Sequence, residues 1–214
     1  MLTEDDKQQV LIRIVDDDAG VREAASFMLE CKGWKTKTYA LARDFLVDDN
    51  KLVPGCIVLD VRMPQMSGLE LQRELVARGN TTPILILTGH GNLDTAVSAF
   101  RLGAFDFLQK PVDNARLEEA IDRACELSLI KARGELTGGE AAAVLAGMSE
   151  REKQIVELLE AGLENRDIAE RLGIAQRTVQ GHRNNIYKKL RVHNIEALAA
   201  CLARARDLTG RAAP

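Results

Sequence analysis

Over its first 130 residues the chain alternates short strand-like runs with segments of helical period, five of each. The runs are VLIRIV (10–15), KTKTY (35–39), CIVLDV (56–61), PILILT (83–88) and FDFL (105–108). Between and after them lie VREAASFMLECKG (21–33), LARDFLVDD (41–49), SGLELQRELVARG (67–79), NLDTAVSAFRLG (92–103) and DNARLEEAIDRACELSLI (113–130). Several of these helices open on Ser or Asn and stop at Gly, as helix boundaries do. Apolar strands separated by helices form a parallel sheet covered on both faces. The expected fold is therefore α/β, a doubly wound five-stranded parallel sheet; the order 2-1-3-4-5 is carried over from that architecture and does not follow from these residues. With 214 residues there is room for a second domain.

After Gly147 the pattern is purely helical. Residues 131–147, KARGELTGGEAAAVLAG, carry two adjacent glycines and no strong period. They are read as a linker whose Ala-rich half has helix propensity. The division is 1–130, a linker 131–147, and 148–214 as an all-α domain of four helices. The net charge of −3 hides an asymmetry: from Gly147 onward there are 12 Lys and Arg against 9 Asp and Glu, and before it 17 against 23. Residues 176–191 hold five Lys or Arg and no acid. An acidic domain followed by one with a basic stripe points to nucleic acid at the second. No run approaches the ~18–20 apolar residues of a membrane span, and the polar, acidic start MLTEDDKQQ is no signal peptide. The four cysteines are scattered, lack a CxxC pair and sit among apolar neighbours. They read as buried free thiols in a reducing, cytoplasmic setting without zinc.

In such a sheet, ligands bind at the carboxyl ends of the strands. Asp16 and Asp17 follow the first strand, Asp60 ends the third, Thr88 ends the fourth, and Lys110 follows the fifth. Adjacent carboxylates repel and call for a positive charge. Three of them suit Mg²⁺ (or Mn²⁺), a hard cation that takes oxygen ligands. A carboxylate beside such a cation can attack phosphorus to give an acyl phosphate. The cation, the Lys110 ammonium and the Thr88 hydroxyl can neutralise the equatorial oxygens of the transferring group. Asp18 is read as a helix-entry residue at a positive dipole end. An FMN site on this fold needs N–H donors for its phosphate, which the acidic DDD loop does not supply. A dehalogenase-type phosphatase would want a second acid where Arg62 stands.

The motifs VDDD, LDVRMPQMSG, ILTGHG and DFLQKP, in this order, resemble a response-regulator receiver domain over residues 10–127. The resemblance implies a CheY-like fold with Asp60 as phosphoacceptor. It implies direct metal ligation by Asp17, ligation through water by Asp16, and a backbone-carbonyl ligand from Arg62. It makes Thr88 the switch hydroxyl, Phe107 the switch aromatic and Lys110 a phosphoryl contact, with a cis Lys110–Pro111 peptide. Arg62 and His90 are candidates for setting phosphoryl lifetime.

Residues 148–205 contain a capping box, Ser149 with Glu152, and then a helix (165–172), a Gly turn and a basic helix (176–190). A last helix covers 195–206. This is a helix-turn-helix pattern, and it resembles the LuxR-type DNA-binding domain. With a receiver it resembles the FixJ/NarL class, and RMP and TGHG lean to the FixJ-like branch. By position in the motif, Gln180, Gly181 and Asn184 face base edges. Arg177, Thr178, Arg183, Lys188 and Lys189 are phosphate contacts, which position without specifying, and His182 lies on the phosphate side. Two positions depart from the pattern: Ala175 replaces the usual Ser or Thr cap, and Gly181 replaces a larger residue. The implied function is a two-component transcriptional regulator and no turnover enzyme. Its implied partners are a sensor histidine kinase and double-stranded promoter DNA. Phosphorylation-linked homodimerisation would use the face of helix 92–102, with Val97 and Arg101. The rivals are a regulator without a phosphate switch and a phosphate sink.

Overall fold

The computed structural model describes residues 2–89 and 93–210. They divide into two units, 1–129 and 130–214. The first contains strands β1 (Leu11–Val15), β2 (Thr36–Tyr39), β3 (Gly55–Leu59), β4 (Ile84–Thr88) and β5 (Asp106–Gln109). Its helices are α1 (Glu4–Gln9), α2 (Ala19–Glu30), α3 (Ala42–Asp48), α4 (Gly68–Ala77), α5 (Leu93–Arg101) and α6 (Asn114–Ala132), whose last turn holds the unit boundary. The five strands form one sheet of order β2-β1-β3-β4-β5, and every neighbouring pair is parallel.

Strand side chains alternate between faces, and the burial follows. Ile12, Ile14, Cys56, Val58, Leu85 and Leu87 pack on one face with Leu29 of α2 and Leu117, Ala120, Ile121 and Ala124 of α6. Val15, Ile57, Leu59, Ile84 and Ile86 pack on the other with Phe45 of α3, Leu71 and Leu75 of α4, and Ala99 of α5. Both faces are dry, which is why β3 and β4 read as continuous apolar runs.

Helix α1 was not expected. It opens on a Thr3–Asp6 capping box, and Leu2 packs against the sheet core. With six residues and no buried position it leaves no apolar period to read. Cys31 also differs: Cys56, Cys125 and Cys201 are buried, whereas Cys31 caps the carboxyl end of α2 and is exposed.

The second unit holds α7 (Gly138–Ala146), α8 (Glu150–Glu160), α9 (Asn165–Leu172), α10 (Gln176–Leu190) and α11 (Ile195–Gly210). The four helices read from sequence are α8 to α11; α7 joins them, making five. It lies in the segment read as a linker, opens on a Thr137–Glu140 capping box, and contributes Ala141 to the core. Leu136 and Met148, on either side of α7, are buried in that core with Ile155, Leu159, Ile168, Val179, Ile186, Leu190, Leu198 and Cys201. Ala141 is the buried residue of α7, and a single small side chain gives little hydrophobic signal in the sequence. No described helix is long and apolar enough to cross a membrane.

Candidate functional site

The carboxyl ends of β1, β3, β4 and β5 meet at one edge, and the polar residues read from sequence stand there. Asp16 follows β1 and is 3% exposed; Asp60 follows β3 and is 6% exposed. Thr88 ends β4, buried. Lys110 follows β5, and its Nζ donates to Asp16 Oδ2 at 2.5 Å and to Asp60 Oδ1 at 2.9 Å. One ammonium thus bridges two nearly dry carboxylates. The other Asp60 oxygen, Oδ2, accepts the Arg62 backbone N–H at 2.5 Å. Burial pushes the Asp16 carboxyl above its ordinary value, against the Lys110 and Asp18 hydrogen bonds that lower it. Burial draws Lys110 down, but its hydrogen bonds to Asp16 and Asp60 outweigh that and hold it above its ordinary value.

Local sequence builds this edge. Asp18 caps α2, accepting from the Gly20 and Val21 N–H groups at 2.8 and 3.2 Å, which starts the helix three residues past Asp16. Ser67 and Glu70 form a capping box that starts α4. Gly68, its first residue, lies so close to Asp60 that a Cβ would stand 2.1 Å from the Asp60 carbonyl oxygen. Only glycine admits that approach, so α4 begins against the backbone of Asp60. The Lys110–Pro111 peptide is cis. Asp17 and Arg62 are exposed beside this cluster. Phe107 of β5 is half-buried against the core of the α3–α5 face, paired in register with Ile86. His90 lies outside the described residues.

In the second unit, α9 ends at Leu172 and is capped by Gly173, whose φ of 63° is left-handed, and α10 follows after the three residues 173–175. Val179, Ile186 and Leu190 of α10 are buried. Arg177, Thr178, Gln180, Gly181, Asn184, Lys188 and Lys189 are exposed, and His182 and Arg183 are half-buried. Ala175, at the N-cap of α10, makes no side-chain cap bond.

A family model of the response regulator receiver domain matches residues 12–122. One of bacterial regulatory proteins of the luxR family matches residues 146–202. The transcriptional regulatory protein FixJ of Azorhizobium caulinodans is 41% identical over 203 residues, covering 92% of this chain and 96% of the relative. The response regulator protein TmoT of Ectopseudomonas mendocina is 38% identical, covering 94% and 91%. The crystal structure of full-length FixJ from B. japonicum matches with a TM-score of 0.58 at 36% identity, over 93% of this chain and 98% of that one. The chain belongs to the FixJ/NarL-like response regulators. It is a two-component transcriptional regulator with a receiver and a LuxR-type DNA-binding domain, and this family is not one of turnover enzymes.

Sequence reasoning on this response regulator missed one role. Besides the phosphate contact expected of it, Lys189 donates from Nζ to Glu152 Oε1 at 2.6 Å. Glu152 Oε2 in turn accepts from the Ser149 N–H and hydroxyl at 3.0 and 2.9 Å. The capping box of α8 therefore also ties α8 to α10. Capping boxes are legible in sequence; a partner 37 residues on is not.

The Lys189 bond, and after it the Ser149 N–H, holds the Glu152 carboxyl at about 2, below its ordinary 4.5. The unfolded chain therefore takes up this proton first as pH falls. The stabilisation is complete above about pH 5 and is lost as pH drops toward 2. Lys189 is 46% exposed, so solvent screens the pair and holds its worth to about 1 kcal/mol. Hydrogen exchange of α8 and α10 amides should show Glu152→Gln to be less protected at neutral pH and equal to wild type near the acid end. An unchanged difference across that range would assign the effect to packing.

Gly181 is solvent-facing in α10, and an added Cβ would meet nothing within 4 Å. Gly181→Ala should stabilise the domain by about 0.5–1 kcal/mol. If DNA comes against the bare backbone here, the same variant lowers DNA affinity. A thermal melt beside a DNA titration checks both.

Proposed function

We propose that this response regulator is switched by transfer of a phosphoryl group from a sensor histidine kinase to Asp60. The observation that carries the reading is the Lys110 ammonium held between buried Asp16 and Asp60 at the strand ends. An Asp60 oxygen attacks phosphorus, the bond from phosphorus to the donor histidine nitrogen breaks, and an acyl phosphate results. Lys110 is then a counter-ion for the new phosphoryl oxygens, and Thr88 a hydroxyl donor at the end of the neighbouring strand. Both come from adjacent parallel strands, so little reorganisation is needed.

Receivers typically use Mg²⁺ for phosphorylation. Among the described residues no three acidic, His or Cys side chains gather as a ready cage. The donor set nevertheless fits this ion, which is commonly held by one or two carboxylates and keeps its waters. Asp16, Asp17 and Asp60, with the Arg62 carbonyl, would hold it. When bound, it neutralises charge on phosphoryl oxygens. Mn²⁺ would fit the same oxygen donors.

Phosphorylation biases a pre-existing equilibrium between inactive and active states, with Phe107 as the aromatic that changes packing. The receiver homodimerises through α5. Leu93, Val97 and Phe100, spaced by four and three residues, are 79, 39 and 51% exposed and leave an apolar stripe, with Arg101 exposed beside it. Two LuxR-type domains then occupy two promoter half-sites. In each, α10 enters the major groove. Gln180, Gly181 and Asn184 meet base edges, while Arg177, Thr178, His182 and Lys188 lie along phosphates. Arg183 and Lys189, each tied to an internal partner, add positive charge there. The operating boundaries are 1–130 for the receiver and 148–214 for the DNA-binding part, with α7 of the segment between them packed on the core of the latter.

The test is DNA binding and light-scattering mass, each with and without acetyl phosphate and Mg²⁺. Dimer formation and tighter promoter binding on phosphorylation are expected. Affinity indifferent to phosphate would favour a regulator without the switch, and absence of DNA binding at every salt would favour a phosphate sink.

A further inference from the structure

The exposed face of α10 carries a chain of hydrogen bonds that passes through α9. Arg183 lies over the Tyr187 ring, 5.1 Å from its centroid, and its Nε donates to the Tyr187 hydroxyl at 3.1 Å. Its NH1 donates to Asn165 Oδ1 at 3.2 Å. Asn165, the first residue of α9, donates from Nδ2 to Gln180 Oε1 at 2.6 Å. Gln180 donates from Nε2 to Asn184 Oδ1 at 2.8 Å.

An amide's oxygen and nitrogen ends have nearly the same shape, so its hydrogen-bond partners decide which way it points. Arginine has donors only. Its contact therefore requires the oxygen of Asn165, which turns the Asn165 nitrogen to Gln180. Gln180 must meet that nitrogen with its oxygen, and so offers its own nitrogen to Asn184. Asn184 answers with oxygen, and its N–H₂ group is left to face outward. The polarity is set at Arg183 and passed along three amides.

We propose that Asn165 is a positioning residue for DNA specificity: it fixes the amide orientation of Gln180 and Asn184, so that Asn184 presents donors to guanine. Guanine shows two acceptors, N7 and O6, in the major groove, where adenine and thymine show one each and cytosine a donor, so two donors are best met by guanine. The inference rests on the reading that Gln180 and Asn184 face base edges. It adds that their orientation is decided by a residue of the other helix, which itself touches no base.

Asn165→Asp reverses the chain. A carboxylate accepts from Arg183 with one oxygen and from Gln180 Nε2 with the other. Gln180 then turns its oxygen to Asn184, and Asn184 shows an oxygen outward. Asn165→Ala breaks the chain without reversing it.

The experiment is selection from a randomised DNA library by the full chain, with Mg²⁺ and acetyl phosphate. Wild type, N165D, N165A and N184A are run side by side after thermal melts. Base ratios at each position are the readout, since the charge of N165D lowers affinity for every sequence alike. Wild type should favour guanine by about fivefold or more at one position of each half-site. N184A should lose that preference, N165A should relax it, and N165D should move it to cytosine or adenine. A guanine preference that depends on Asn184 but is identical in N165D and N165A overturns the positioning role alone. A site untouched by N184A, or no enriched site at all, overturns the base-edge reading and this inference with it.

Discussion

Asp60→Asn is expected to abolish phosphoryl uptake. Incubated with acetyl phosphate and Mg²⁺, the wild-type chain should gain a single phosphoryl group by intact mass, and the variant none. The two side chains have the same shape, but the amide has lost the anionic nucleophile. It also places an N–H₂ where Lys110 Nζ or the Arg62 N–H now donates to Asp60, so donor would face donor. The remaining carboxylate, Asp16, keeps Lys110 at 2.5 Å, so the fold should survive. Lys110→Met is a second arm: the nucleophile stays while a positive group aimed at the developing charge is removed, which costs about 10²–10³ in rate. A phosphoryl group still added to Asp60→Asn would move the nucleophile to Asp16 or Asp17.

Arg13→Met is expected to cost the receiver about 3–5 kcal/mol, a large part of the roughly 5–15 kcal/mol by which a domain is folded. Arg13 is in the middle of β1 and fully buried. Its Nε donates to Asp49 Oδ1 at 2.5 Å, NH1 to the Leu11 carbonyl at 3.0 Å, and NH2 to the Asn50 and Val53 carbonyls at 2.8 and 2.9 Å. Asp49 is itself only 7% exposed. Methionine fills much of the volume but leaves a buried carboxylate unpaired and three carbonyls short of a donor. The double variant Arg13→Met with Asp49→Leu should recover part of the loss, because both charges then escape desolvation. Trp34, the one tryptophan of the chain, is buried in the receiver core and makes urea unfolding of this unit visible by fluorescence. A loss below about 1 kcal/mol would mean that the guanidinium is dispensable and that water reaches these carbonyls.

The α/β fold, the acidic edge and the helix-turn-helix were legible in the residues, for local and repetitive reasons, whereas the strand order came only with the resemblance. Strand alternation, helical period, Ser149 and Ser67 caps and the Gly173 stop act over a few neighbours. The parallel topology then carries Asp16, Asp60, Thr88 and Lys110 to one edge, because each stands at the end of its own strand. What was missed lacks such a local signature. Helix α1 has no buried stripe. The alanines of α7 look like a spacer until the core of the second unit closes over Ala141. Cys31 stands between Glu30 and Lys32 and falls at a helix end that faces water.

Helices α1 and α7 apart, the sequence by itself determined which segments become strand or helix and which polar groups end the strands, since both follow from spacing along the chain. Only the tertiary structure decided where the long polar side chains go. Arg13 turns to a loop 36 to 40 residues away, Lys189 to a cap 37 residues back, and Arg183 to Asn165, 18 residues back. Arg and Lys side chains reach far and take many rotamers. Their partners are whatever acceptors the packed elements bring within reach, and that is settled only once the elements have packed.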